Sequence, residues 1–69
     1  MTPIQFGQAI REHRRRQGMT QRDLALVINA GERFIVDLEA GKPTCQLGKA
    51  LAAAKAVGWS LSPPDPAAA

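Results

Sequence analysis

Cys45 and His13 are the residues that could form a nucleophilic pair, since a thiol beside an imidazole needs only proximity in space. Cys45, however, falls at the expected first position of a helix, where any small residue suffices. A helix start lowers a thiol pKa and so leaves redox reactivity conceivable there, but no other residue supports it. No serine precedes Ser60, so a serine nucleophile inside a folded scaffold is missing. One cysteine and one histidine cannot supply a disulfide or a structural zinc set. The carboxylates of Glu12, Asp23, Glu32, Asp37 and Glu39 lack the spacing of a calcium loop. The expectation is a protein that is not an enzyme and uses neither metal nor cofactor.

The remaining chemistry is charge. Lysine and arginine exceed aspartate and glutamate by nine to six, and Arg11, Arg14, Arg15 and Arg16 crowd into six positions. Such a cluster is either an anion-binding patch, with nucleic acid the foremost partner, or a solvated helix face. Charge alone leaves both readings open. No apolar run approaches the ~18 residues of a membrane span, and the N-terminus lacks signal-peptide organisation. A lone unpaired cysteine fits a reducing compartment, so a cytoplasmic location is expected.

These residues must be positioned by a small frame. With 69 residues and no staples, the chain is short of core, which makes a partner subunit an expectation from the outset. Twelve alanines and only three aromatics favour close-packed helices over a sheet. Thr2-Pro3-Ile4-Gln5 combines a capping threonine, a proline at the first helical position and a glutamine three residues after the cap, opening a helix that runs to about Gln17 and stops at Gly18. Phe6, Ile10 and the stem of Arg14 form its buried stripe, and Gly7 marks a close helix contact. Thr20 and Asp23 make a second capping box, with Met19 and Leu24 as its hydrophobic staple. That helix buries Leu24, Ala25 and Ile28 and breaks at Asn29-Ala30-Gly31. A third helix from about Glu32 to Ala40 turns Ile35 and Leu38 inward. Thr44 is expected to cap a fourth, reaching about Val57 with Leu47, Leu51, Ala54 and Val57 on its buried stripe. Residues 59–61 alternate in polarity like a short strand, and the Pro/Ala-rich residues 62–69 read as a disordered tail.

Two short helices joined by three residues containing glycine have the dimensions of a helix-turn-helix. In that motif the second helix enters the major groove, its N-terminal residues facing base edges. With Ile35 and Leu38 inward, Glu32, Arg33 and Val36 or Asp37 point outward. Arg33 suits a bidentate contact to guanine, and Glu32 or Asp37 can accept from cytosine N4 or simply remain solvated. Phosphate contacts are expected at helix starts, from Gln21 and Arg22 opening the second helix and from Lys42 and Thr44 around the start of the fourth.

At these residues the chain resembles the XRE, or Cro/cI-type, helix-turn-helix family, through Met19-Thr20-Gln21-Arg22-Asp23-Leu24-Ala25 and Ile35 to Leu38-Glu39-Ala40-Gly41-Lys42. More closely, Glu32 to Glu39, Gly41-Lys42-Pro43-Thr44 and Gln46-Leu47-Gly48-Lys49 are similar to HipB-like antitoxins. The resemblance covers residues 6–58. It implies a lambda-repressor-like, all-α domain of four helices, with residues 1–58 as the DNA-binding unit. It implies an Arg14–Glu39 ion pair, a phosphate-contacting and bracing role for Gln21, and base reading by Glu32, Arg33 and Asp37. It further implies that the strand carrying Trp59 and Leu61 pairs across a dimer. Asn29, Ala30 and Gly31 depart from the family's usual glycine, valine and serine.

The expectation is therefore a homodimeric repressor of a pseudo-palindromic, double-stranded operator. In the antitoxin form it would also bind a HipA-like kinase toxin and repress their shared operon. The alternatives are a stand-alone phage or operon repressor, or an interaction adaptor that keeps the fold without reading DNA.

Overall fold

The computed structural model describes residues 1–43 and 46–59. It is all-helical: α1 spans Pro3–Arg16, α2 Gln21–Val27, α3 Glu32–Glu39 and α4 Leu47–Ala56, with no strand among the described residues. The first two helices begin on reciprocal capping boxes. Gln5 N donates to Thr2 Oγ1 at 3.1 Å while Thr2 N donates to Gln5 Oε1 at 2.9 Å. Thr20 and Asp23 repeat the exchange at 3.0 and 2.9 Å. Each pair satisfies two amides that a helix start otherwise leaves open.

All four helices stop in the same way. Gly18, Asn29, Gly41 and Gly58 follow the C-caps at φ of 70°, 55°, 85° and 79°. In each case the next residue's N–H reaches back to a carbonyl five positions earlier, as Met19 N to Arg14 O at 3.1 Å and Lys42 N to Asp37 O at 3.1 Å. This is the Schellman arrangement, which ties off the last carbonyls and reverses the chain in two residues. Asn29 performs it where a glycine is commoner, because asparagine tolerates the left-handed region better than other side chains.

The core gathers Ile10, Leu24, Ala25, Ile35, Leu38, Ala50, Ala53, Ala54 and Val57, with Phe6, Met19, Ile28, Phe34 and Trp59 packed at its edge. α3 lies against both α1 and α2, and α2 also touches α4. The α1–α3 crossing is close at Gly7, where a Cβ would collide with the Leu38 carbonyl oxygen.

α4 differs from expectation in its rotation. Leu47 and Leu51, expected inside, are 65% and 44% exposed, while Ala50, Ala53 and Ala54 take the buried face with Val57. The spacing 50, 53, 54, 57 is itself a helical stripe, and it brings backbone close to backbone where leucines would hold the helices apart. The helix also starts later than expected, on Gln46 as N-cap. Thr44, expected to cap it, and Cys45 lie outside the described residues, as do Ser60 and Leu61 of the expected strand and the 62–69 tail. Trp59 is described, and its backbone is not in regular structure.

Candidate nucleic-acid interface

α3 is fixed at its C-terminal end. Glu39 accepts from Arg14 Nε at 2.7 Å on Oε2 and from Arg14 Nη2 at 3.1 Å on Oε1. Oε1 also accepts from Gln21 Nε2 at 3.3 Å. Arg14 uses its remaining amino group on the Met19 carbonyl at 2.8 Å. One carboxylate therefore joins α1, α2 and α3, and one guanidinium joins α1 to the turn before α2. The forked geometry suits a site from which most water is gone, because it satisfies both oxygens at once. No buried side-chain nitrogen or oxygen among the described residues lacks a partner.

The other side of α3 faces solvent. Glu32, Arg33 and Val36 are exposed, with the Arg33 side chain 80% so. α3 begins on Gly31, which provides no side-chain cap, so its first N–H groups have no such acceptor. Asp37 is half-buried and its Oδ1 receives two cations, Arg33 Nε at 3.2 Å and Lys42 Nζ at 3.6 Å. Both contacts fall on one of the two carboxylate oxygens.

Of the expected phosphate contacts, Gln21 and Arg22 open α2 and Lys42 follows α3, while Thr44 lies outside the described residues. Gln21, at the first position of α2, is half-buried, and one amide hydrogen goes to Glu39. Arg22 beside it is exposed, and Lys42 flanks the far end of α3 with its side chain 60% exposed. Asp23, inside the α2 capping box, is held below the usual carboxylate range, first by the Thr20 backbone N–H and then by the Thr20 hydroxyl. That favours a permanent negative charge at the α2 start, where the helix dipole stabilises it.

The arginine cluster divides. Arg14 is interior, its side chain only 11% exposed. Arg11, Arg15 and Arg16 are exposed. Arg11 shares a recess of about 400 Å³ with Gln21, Val36 and Glu39, which puts it on the same side as the outward face of α3. Sequence reasoning did not single it out, because nothing local reveals which arginine of the cluster lies beside α2.

Trp59 lies against its own chain, its ring 5.2 Å from Phe6 and stacked at 5.8 Å on His13. His13, the imidazole considered for catalysis, is thus part of an aromatic stack. Among the described residues no three histidine, cysteine, aspartate or glutamate side chains gather to hold a metal ion, and no helix is long and apolar enough to cross a membrane.

Comparison with known proteins gives two relatives. The chain is 48% identical over 60 residues to the uncharacterized HTH-type transcriptional regulator y4mF of Sinorhizobium fredii, an alignment covering 87% of this chain and 79% of that one. It is 45% identical over 40 residues to the endothelial differentiation-related factor 1 homolog of Xenopus laevis, covering 58% of this chain and 27% of the frog protein. No family model matches the chain.

Proposed function

Because the chain belongs to the HTH-type transcriptional regulators, we propose that it is a sequence-specific DNA-binding repressor acting as a homodimer. The observation that carries this reading is the polarity of α3. Its C-terminal end is locked by Arg14, Gln21 and Glu39, and its outward face presents an arginine that is 80% exposed. A helix held rigidly from behind can offer side chains to base edges without paying again to order its backbone.

In this reading Glu32 and Arg33, with Asp37 behind them, face the major groove. Arg33 takes guanine O6 and N7, a contact that discriminates by about 1–3 kcal/mol. Gln21, Arg22, Lys42 and Thr44 take phosphates on the two flanking strands. A second subunit, contacted through the segment carrying Trp59 and Leu61, sets two α3 helices about 34–36 Å apart on a pseudo-palindromic site. The finer reading is an antitoxin of the HipB-like kind that restrains a HipA-like kinase. Its support is the run Glu32 to Glu39 with Gly41 to Thr44 and Gln46 to Lys49.

The test is binding of the protein to duplex DNA from upstream of its own gene, across a salt series. The expected result is a footprint with two half-sites and affinity falling steeply with salt as phosphate contacts displace counterions. Arg33→Ala should lower affinity and relax one base position, and Gln21→Ala should weaken all sequences alike. Failure to bind that DNA at any salt concentration would favour the adaptor alternative. Co-purification with a kinase-like neighbour gene product would separate the antitoxin from a stand-alone repressor.

A further inference from the structure

We propose that Asp37 is a positioning residue, holding Arg33 and Lys42 in register so that a guanine contact and a phosphate contact form together. The proposal rests on the DNA-reading role of α3 given above and assigns Asp37 no base of its own. Asp37 lies one turn after Arg33 on α3, and its Oδ1 takes the Arg33 Nε at 3.2 Å. That bond uses the Nε edge of the guanidinium. The two terminal amino groups remain as an end-on fork, the geometry that matches guanine O6 and N7. Among the described residues no other side-chain hydrogen bond or ion pair holds the Arg33 guanidinium.

Lys42 reaches the same oxygen by a different route. The Schellman stop of α3 brings its backbone N–H to the Asp37 carbonyl at 3.1 Å, and its Nζ lies 3.6 Å from Asp37 Oδ1. The reader on the helix and the cation just beyond its end therefore share one carboxylate. The three line a common recess of about 310 Å³ with Phe34 and Gln46.

Electrostatics argues against direct reading by Asp37. Both cations sit on Oδ1, so a cytosine would have to be met by Oδ2. Turning that oxygen to a base edge would draw the carboxylate away from its cations and toward the phosphate strands, where like charges repel. Keeping both cations leaves the cluster one net positive charge. It also removes some of the freedom that a long, exposed arginine would otherwise lose on binding. The same carboxylate partly neutralises Arg33 and Lys42 toward phosphates, which weakens binding to DNA of the wrong sequence.

The experiment uses a preferred site selected from a randomised duplex pool, and every single-base variant of it, against wild type, Arg33→Ala, Asp37→Ala, Asp37→Asn, Asp37→Glu and the Arg33→Ala/Asp37→Ala double variant. The expected result is that the Arg33 and Asp37 removals relax the same base pair, by roughly fivefold or more. The double variant should discriminate no worse than Arg33→Ala, and Asp37→Glu should restore part of the preference. Asp37→Asn, which keeps the shape should the alanine variant fold poorly, should bind non-cognate DNA more tightly than wild type and with a steeper salt dependence. Relaxation of a different base pair by Asp37 removal, adding to the Arg33 effect, overturns the proposal while leaving the DNA-reading role intact. A wild type that prefers no base pair overturns that role and this proposal with it.

Discussion

Arg14 and Glu39 face one another across the α1–α3 crossing in a forked pair, at 2.7 and 3.1 Å, with side chains 11% and 4% exposed. At that burial neither charge can fall back on water. Breaking the pair from one side should cost about 3–5 kcal/mol, because the partner is left uncompensated. In a domain this small, that is a large part of the total stability. Denaturant unfolding of Glu39→Ala and Arg14→Ala checks this. The double variant Arg14→Met/Glu39→Leu should recover most of the loss, since both desolvation costs go together.

Gly7 and Gly48 should respond oppositely to alanine. Ordinarily a helical glycine replaced by alanine gains about 0.5–1 kcal/mol. Gly48 has open space around it, so Gly48→Ala should show a gain of that order. At Gly7 the new methyl meets the Leu38 carbonyl oxygen, with the Glu39 oxygen at 2.9 Å. Backbone cannot swing aside as a side chain does, so Gly7→Ala should destabilise by about 1–3 kcal/mol. Equal signs for the two would contradict the closeness of the α1–α3 crossing.

The α2 capping box gives stability a dependence on acid. Asp23 has its pKa lowered in the folded state, chiefly by the Thr20 N–H. Its contribution is fully present above the ordinary carboxylate value and fades as pH falls through the lower folded value. Thr20→Ala removes the hydroxyl donor and should raise the Asp23 pKa, bringing that loss to a higher pH. An NMR titration of the Asp23 carboxyl in both proteins reads the shift directly; an unchanged value in the variant would rule the hydroxyl out as a cause.

Side-chain size should matter in reverse order along α4. Ala53 is fully buried, so Ala53→Leu must force the helices apart, at a cost of about 1–3 kcal/mol. Leu47 is 65% exposed, and Leu47→Lys should change monomer stability by no more than about 0.5 kcal/mol. Thermal unfolding of the two variants side by side would settle the rotation of the helix.

Where the sequence could be read, the signals were local. Thr2 with Gln5 and Thr20 with Asp23 form capping boxes within one turn, and the turn residues Gly18, Asn29 and Gly41 stand next to the helices they end. The inward positions Ile35 and Leu38 follow from periodicity alone. What could not be read depends on a neighbour. The rotation of α4 was misjudged because the largest apolar residues were assumed to face inward, whereas close approach to the core favours Ala50 and Ala53. The stacking of Trp59 on His13 joins residues distant in sequence and follows from how the helices cross, whereas the equally distant meeting of Arg14 with Glu39 is expected through the family resemblance and not from spacing. The i, i+4 spacing of Arg33 and Asp37 was visible, but the arrival of Lys42 at the same oxygen required the backbone stop of α3.

The anchoring of α3 by Glu39 has a consequence for how such a chain diversifies. Everything that fastens the helix through that carboxylate is on its inward side and toward its end, while Glu32, Arg33 and Val36 carry none of it. In the proposed DNA-reading role, address and mount are written in different letters of the same eight-residue helix. A gene duplicate could exchange the outward letters one at a time, each intermediate remaining folded, and arrive at a new address without passing through an unstable ancestor.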